Sequence, residues 1–210
     1  MTENQLRDSI AALGRSMYER GLTHGSTGNI SARCSDGWLL TPTGSNLGQL
    51  DPARIAKLDW NGKHLAGDPP SKENFLHLAM YEERQQNGAV IHLHATHSVA
   101  VSVLADTNPE DALPPLTAYY VMRIGSLPMV PYYAPGDMAL AGAVRKLASR
   151  HHAVLLANHG PVVAGSTLAA AADAMEELEA TAKLHLLLRG EKTRPLDAAQ
   201  VADLKRRYPL

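Results

Sequence analysis

Apolar side chains recur along the chain with two alternating spacings, one typical of helices and one typical of strands. Near the N-terminus they repeat every three to four residues, which is the spacing of a buried helical face: Leu6, Ile10, Leu13 and Met17. Thr2, followed three residues later by Gln5, has the form of a capping box. Glycine commonly ends a helix, so the pattern predicts an N-terminal helix that ends at Gly21.

Helical and strand-like segments alternate along most of the remaining length. The pattern predicts helices over 71–86, 96–105, 137–150, 167–188 and 197–208, and strands over 29–32, 38–41, 55–58, 63–65, 89–94, 153–157 and 161–164. Asn61-Gly62 predicts a hairpin turn, whereas 113–133, rich in Pro, Tyr and Val, predicts strands and loops. The alternation implies an α/β sheet covered by helices, but it does not give the strand order.

Composition and charge narrow the class of protein. The chain has 210 residues, 45% of them hydrophobic, and no linker or repeat divides it, so we expect a single domain over residues 1–210. Twenty Lys and Arg balance 21 Asp and Glu, which argues against nucleic acid or an anionic membrane as the main partner. Cys34 is the lone cysteine, so an intrachain disulfide is excluded. The sequence shows no signal-peptide pattern and no membrane-length apolar run, and we expect a cytoplasmic protein.

The run VIHLH at residues 90–94 is the clearest signal for chemistry. Side chains alternate faces in a strand, so His92 and His94 point the same way and can chelate one metal ion. They can equally be half-buried histidines with local hydrogen bonds. His159, at a predicted strand end, is either a third ligand or a turn histidine. Three neutral imidazoles with open positions typify a catalytic metal site, with zinc expected first and Mn, Co or Fe as alternatives.

Other polar segments have both a functional and a purely structural interpretation. Glu73 at the start of a predicted helix complements the helix dipole, or it serves as a fourth ligand and general acid/base. GSTGN at 25–29, TPTGS at 41–45 and Ser71-Lys72 combine glycines, hydroxyls and a cation, as anion-binding loops do. None has the spacing of a Walker A or Rossmann motif, and each one alone is an ordinary turn.

Together, five motifs resemble in order and spacing those of the class II aldolase/adducin family: HGSTGNIS at 24–31, LTPTG at 40–44, SKE at 71–73, HLH at 92–94 and NHG at 158–160. The resemblance covers nearly the whole chain. It implies a three-layer α/β/α fold with a central, mainly antiparallel sheet, and homotetramers with active sites at subunit interfaces. It also implies one divalent metal ion per subunit, held by His92, His94 and His159, with Glu73 as ligand and as catalytic acid/base.

The resemblance also assigns the substrate-binding residues. The implied phosphate cradle consists of Thr27, Gly28, Asn29, Thr43, Gly44 and Ser71. Lys72 departs from the second serine common in the family's sugar-phosphate aldolases, and it either binds a carboxylate besides the phosphate or points into solvent. Tyr119 is the expected catalytic tyrosine, donated to a neighbouring subunit, although Tyr119 and Tyr120 can also be core aromatics.

The resemblance implies a lyase of carbohydrate metabolism that acts on a phosphorylated sugar acid. The expected reaction is decarboxylation of 3-oxo-tetronate 4-phosphate, through a metal-bound enediolate, to dihydroxyacetone phosphate and CO2. One alternative is an aldolase for a substrate like fuculose 1-phosphate. Another, from a different class, is a non-catalytic, adducin-like assembly module.

Overall fold

A computed structural model describes residues 1–134 and 136–210, and eight strands and seven helices lie within them. The strands are β1 (Asn29–Cys34), β2 (Gly37–Leu40), β3 (Ala56–Leu58), β4 (His64–Ala66), β5 (Ala89–His92), β6 (Met129–Val130), β7 (Ala153–Leu156) and β8 (Gly160–Gly165). The helices are α1 (Glu3–Glu19), α2 (Asn74–Glu83), α3 (Thr96–Val103), α4 (Ala118–Arg123), α5 (Ala139–Ala148), α6 (Leu168–Leu187) and α7 (Ala198–Arg207).

All the strands belong to one sheet in the order β4-β3-β2-β1-β5-β8-β7-β6. Every neighbouring pair is antiparallel except β6 and β7, which are parallel. In the centre, Asn29 on β1 lies opposite His92 on β5, and His92 lies opposite Val162 on β8. This register places residues distant in sequence side by side at one end of the central strands.

Helices cover both faces of the sheet because the central strands are apolar on both sides. On β5, Ile91 joins the core that packs under α1 and α6, whereas Val90 joins the core under α2 and α5. On β8, Val163 packs in the core under α1 and α6, whereas Val162 packs in the core under α2 and α5. The predicted three-layer α/β/α fold with a mainly antiparallel sheet is confirmed.

Several elements match the sequence pattern closely. Thr2 and Gln5 form the predicted capping box at the start of α1. The hairpin between β3 and β4 turns at Asn61-Gly62, where the Gly62 N–H donates to the Asp59 carbonyl over 3.0 Å. Local capping and turn chemistry is decided by neighbouring residues, so the sequence alone predicts it.

Three predicted elements differ from the observed ones. The strand predicted over 89–94 ends at His92, because the chain turns there toward α3. The helix predicted over 71–86 spans only Asn74–Glu83, since Pro70 pairs with Pro42 and residues 72–73 form a turn, in which the Asn74 N–H donates to the Ser71 carbonyl oxygen. Within 113–133, predicted as strands and loops, Ala118–Arg123 is helical, capped by the Thr117 side chain, which accepts the Tyr120 N–H.

Among residues 1–134 and 136–210, every helix is too short or too polar to cross a lipid bilayer.

Candidate metal centre and anion loops

The polar end of the central strands gathers the predicted metal ligands. His92 is the last residue of β5, and His94 follows two residues later. His159 lies in the tight turn between β7 and β8, where Asn158 adopts a left-handed backbone with φ 58°. Asn tolerates this conformation, which lets a three-residue loop reverse the chain and present His159.

Two close backbone contacts bring these turns together. A Cβ at Gly160 would lie 2.3 Å from the Leu93 carbonyl oxygen, and one at Gly28 would lie 2.9 Å from the His92 carbonyl oxygen. Only glycine permits such an approach, since any Cβ would overlap these backbone atoms. The glycines therefore draw the His159 turn and the first anion loop onto the end of β5.

The four ligand atoms converge from three separate segments. The His159 Nε2 lies 3.3 Å from the His92 Nε2 and 3.0 Å from the His94 Nε2. The Glu73 carboxylate lies 3.1 Å from the His159 Nε2 and 3.6 Å from the His92 Nε2. All four ligand atoms lie within 4.8 Å of one another.

This arrangement fits a divalent metal ion. Imidazoles bound to zinc at about 2.0–2.1 Å in tetrahedral geometry have nitrogens about 3.3 Å apart, close to the separations seen here. The His92 Nδ1 lies 2.9 Å from the Pro161 carbonyl oxygen, so Nδ1 carries the proton and donates it. The Nε2 lone pair of His92 is therefore left facing the ligand cluster, as metal-binding histidines require.

The protonation states suit metal binding as well. Desolvation raises the pKa of the Glu73 carboxyl, but attraction to His92 and hydrogen bonds from His159 and Asn29 outweigh it and hold that pKa below its usual range. Burial lowers the pKa of His92 and lowers the pKa of His94 to about 4. At neutral pH the site thus offers an anionic Glu73 carboxylate and neutral imidazoles at His92 and His94.

A second group of potential ligands is already occupied by an internal cation. Glu3, Cys34 and Asp36 also lie within ligand distance of one another. The Lys57 ammonium lies 2.9 Å from both the Glu3 and the Asp36 carboxylates. Because this lysine neutralises the carboxylates, we do not assign a metal site there.

Glu179, which belongs to no recognisable sequence motif, holds the segment after His94. Its carboxylate accepts four hydrogen bonds of 2.7–2.9 Å from the backbone N–H groups and side chains of His97 and Ser98 at the start of α3. An anionic group at a helix N-terminus is stabilising. Glu179 comes from α6, 82 residues away from His97, so only the tertiary fold reveals it.

The three anion loops meet beside the ligand cluster. Asn29 donates to the Ser71 Oγ over 3.1 Å and to the Glu73 Oε2 over 2.7 Å. The Thr43 N–H donates to the Pro69 carbonyl oxygen over 3.0 Å, which joins the second loop to the third. The Ser71 hydroxyl accepts from both Asn29 and the Glu73 N–H, which leaves its own hydrogen for another acceptor.

The remaining residues predicted to bind phosphate differ in whether their hydrogen-bond donors are already used within the protein. Thr27 donates both its N–H and its hydroxyl to the His24 carbonyl oxygen. Gly28 and Gly44 both have positive φ, at 79° and 68°. Lys72 is exposed and forms no ion pair with any residue that the structure describes. Its ammonium is free to meet an anionic ligand.

A cavity of about 580 Å³ opens beside the ligands. Its lining includes Glu73, His94 and His159 together with Tyr132 and Tyr133. No sequence motif marks these two tyrosines as part of the site. Tyr119 lies on α4 with 60% of its surface exposed and is not among the lining residues within one chain.

Comparison with known proteins agrees with this geometry. Residues 8–186 match the model of the Class II Aldolase and Adducin N-terminal domain. The chain is 50% identical over 188 residues to the 3-oxo-tetronate 4-phosphate decarboxylase of Cupriavidus necator, covering 90% of this chain and 87% of that protein. It is 35% identical over 188 residues to the L-fuculose phosphate aldolase of Escherichia coli, covering 89% and 85%.

A solved structure with the same fold is that of YgbL from Escherichia coli, described as a putative aldolase/epimerase/decarboxylase. It superimposes with a TM-score of 0.95 at 45% identity, covering 97% of this chain and 99% of that one. Near-complete coverage by the family model and by these relatives leaves one conclusion: the chain belongs to the class II aldolase and adducin family.

Proposed function

We propose that this protein is a carboxy-lyase that converts 3-oxo-tetronate 4-phosphate to dihydroxyacetone phosphate and CO2. The observation that carries this choice is the 50% identity to a decarboxylase of that substrate, against 35% to a fuculose phosphate aldolase. The cluster of Glu73, His92, His94 and His159 supports catalysis over a purely structural role. Aldol cleavage of a sugar phosphate is the second candidate.

The reaction breaks the bond between C1 and C2 of the substrate. C1 leaves as CO2, the electron pair moves toward the C3 oxygen, and C2 then takes up one proton. A divalent ion held by the four clustered residues supplies a Lewis acid for a substrate oxygen. Zinc is our first expectation for that ion, with Mn, Co or Fe as alternatives.

Glu73 is the proposed proton donor to C2. Its carboxyl pKa lies below the usual range, because contacts with His92, His159 and Asn29 outweigh the opposing effect of desolvation, so the residue rests as an anion. It therefore first accepts a proton from water in the cavity and afterwards delivers it to C2, so that a solvent proton takes the place of the departing CO2. This order makes Glu73 a base before it is an acid.

The anion loops would hold the substrate's two charged ends. The bridge between Pro42 and Pro70 joins the Thr43-Gly44 loop to the segment of Ser71. We assign this loop and the free hydroxyl hydrogen of Ser71 to the phosphate, together with Thr27, Gly28 and Asn29. The exposed ammonium of Lys72 supplies the additional positive charge that a substrate with a carboxylate requires. An aldolase substrate lacks that carboxylate.

The assembly is part of the same proposal. We expect a cytoplasmic homotetramer of single-domain chains, in which a neighbouring subunit completes the active site and contributes Tyr119. The open cavity and the 63% exposure of Tyr132 at its edge support a site that a second chain covers. Light scattering after size exclusion should give four times the chain mass of 22.6 kDa.

The deciding experiment supplies two substrates to the Zn²⁺-loaded protein. Incubation with 3-oxo-tetronate 4-phosphate should release CO2 and dihydroxyacetone phosphate, whereas fuculose 1-phosphate should give little lactaldehyde. Product in the second reaction alone would make the aldolase the better assignment. A protein that retains no divalent metal, and that added metal does not activate, would instead indicate an adducin-like assembly module.

A further inference from the structure

A chain of hydrogen bonds runs from Glu73 into the core between α2 and β1. The Glu73 Oε2 accepts from the Asn29 Nδ2 over 2.7 Å, and the Asn29 Oδ1 lies 2.5 Å from the His77 Nε2. The His77 Nδ1 lies 2.7 Å from the Ser31 Oγ, which in turn lies 2.9 Å from the Tyr81 hydroxyl. His77, Ser31 and Tyr81 belong neither to the expected metal ligands nor to the expected phosphate cradle.

The periodicities of the two elements produce this chain. Asn29 and Ser31 are two residues apart on β1 and so share one face of the sheet. Glu73, which caps the start of α2, is spaced four residues from His77, as His77 is from Tyr81, so the three side chains line up along one side of the helix. The two rows of side chains therefore interleave, with His77 completely buried between them.

Each donor in the chain can be assigned from the one before it. An ionised carboxylate only accepts hydrogen bonds, so Asn29 must turn its NH2 group toward Glu73 and its oxygen toward His77. That oxygen accepts, so the His77 Nε2 must carry the proton. A neutral imidazole then has an acceptor at Nδ1, and the Ser31 hydroxyl must donate to it.

Burial keeps this arrangement in a single protonation state. Desolvation lowers the pKa of His77 to about 3, so the ring stays neutral across the physiological range. Its ring lies nearly parallel to Trp38, with centroids 6.4 Å apart and planes inclined by 15°. Protonation of His77 is therefore not available to reverse the direction of the hydrogen bonds.

We propose that His77 is a positioning residue for Glu73, acting through Asn29. By donating from Nε2, it holds the Asn29 amide so that both N–H bonds point into the site, one to the Ser71 Oγ and one to the Glu73 Oε2. Without that donor the amide can turn over and face the carboxylate with its own oxygen, which repels it. One buried imidazole thus aligns the proposed acid/base and a hydroxyl of the proposed phosphate cradle together.

The first test is independent of any substrate. Long-range 15N–1H NMR of the histidine rings, with His77 assigned by its loss in the His77→Gln protein, should show a protonated Nε2 and an unprotonated Nδ1. This pattern should persist between pH 8 and pH 5. A proton on Nδ1, or a doubly protonated ring at neutral pH, would overturn the proposal.

The second test compares two replacements of His77. Leu removes the donor, and we expect kcat to fall about 10- to 100-fold with a small change in KM, and Zn²⁺ affinity measured by calorimetry to fall as well. Gln places an amide N–H near the position of Nε2 and should restore both to within a few-fold of wild type. His152→Leu removes a partly buried histidine that the site does not use, so it should lower stability but leave kcat unchanged.

Distinct outcomes separate this inference from the proposed function, on which its kinetic part rests. Wild-type Zn²⁺ affinity in the His77→Leu protein, or losses in His77→Gln as large as those in His77→Leu, would refute a positioning role for His77. Failure of the wild-type protein to act on 3-oxo-tetronate 4-phosphate would count against the decarboxylase alone. The NMR and Zn²⁺ measurements still decide the role of His77 in that case, and the NMR test holds even if His77→Leu does not fold.

Discussion

At the scale of the residue, the site depends on a few side chains whose charge is set by their surroundings. Glu73 stays anionic although it is partly buried, because Asn29 donates to it and two histidines lie beside it. His92 stays neutral because burial disfavours its cation and Pro161 accepts its Nδ1 proton. Because burial and hydrogen-bond partners together set these charges, replacing Glu73 or His152 should have a measurable effect.

Replacing Glu73 by Gln should reduce turnover about 10²- to 10⁴-fold, because it removes the group that transfers the proton. Three imidazoles remain, so bound metal should persist. Glu83→Gln is a matched control, since Glu83 is exposed at the other end of α2. Steady-state rates of CO2 release test this, and full turnover in the Glu73→Gln protein would remove Glu73 from the mechanism.

His152 should make the fold sensitive to acid. Burial lowers its pKa from 6.5 to about 4, so between these pH values the unfolded chain binds a proton that the folded chain does not. Stability should therefore fall as the pH drops from 6.5 to 4, by about 3 kcal/mol for this residue. His152→Gln keeps a donor for the Arg123 carbonyl oxygen but cannot titrate. Urea unfolding at several pH values should show a smaller loss in the variant, and equal losses would contradict the assignment.

At the scale of the element, turns rather than strands place the ligands. The strand predicted over 89–94 stops at His92, and Glu179 on α6 holds the start of α3 through His97 and Ser98. His94 therefore lies between a strand end and a fixed helix start. His159 depends in the same way on how closely its turn approaches Leu93.

Gly160→Ala tests that close approach. At Gly160 φ is +148°, and an added Cβ would lie 2.3 Å from the Leu93 carbonyl oxygen. Backbone strain and steric overlap should each lower the free energy of unfolding by on the order of 1–3 kcal/mol. The resulting displacement of His159 should weaken Zn²⁺ binding. Gly142→Ala is the opposite control, since α5 leaves open space there. It should stabilise the protein by about 0.5–1 kcal/mol without altering Zn²⁺ affinity. Thermal unfolding and calorimetric titration measure both effects, and unchanged Zn²⁺ affinity in Gly160→Ala would contradict this account.

At the scale of the whole molecule, one sheet unites segments from both halves of the chain around the ligand cluster. β1, β5 and β8 are neighbours in the sheet although their residues span positions 29 to 165. A metal bound at their ends should therefore stabilise the entire fold, because it favours the folded chain by mass action.

Adding Zn²⁺ at about 100 times its dissociation constant should raise the unfolding free energy by about 2.7 kcal/mol. For a chain of this size the melting temperature should rise by about 2–4 °C for each kcal/mol. A chelator should abolish both the shift and the activity, and renewed Zn²⁺ should restore them. The His94→Ala protein is the control, since it lacks one ligand, and an equal shift there would place the ion elsewhere.

The sequence by itself determined the features that depend on near neighbours or on a recurring pattern. The capping box of α1, the turn at Asn61-Gly62 and the two-sided apolar strands follow from local spacing. The motifs around Glu73, His92 and His159, taken in order, predicted the family and the ligand set.

Only the tertiary structure decided how those motifs meet and what holds them in place. The order of the strands, the Glu179 contacts with α3 and the chain from Tyr81 through His77 to Asn29 join residues many positions apart. Local periodicity does not predict such pairings, because the burial and the hydrogen-bond partners of a residue depend on which distant segments of the chain pack against it. The same contacts fix the charge of Glu73 and the protonated nitrogen of His77, on which the proposed chemistry depends.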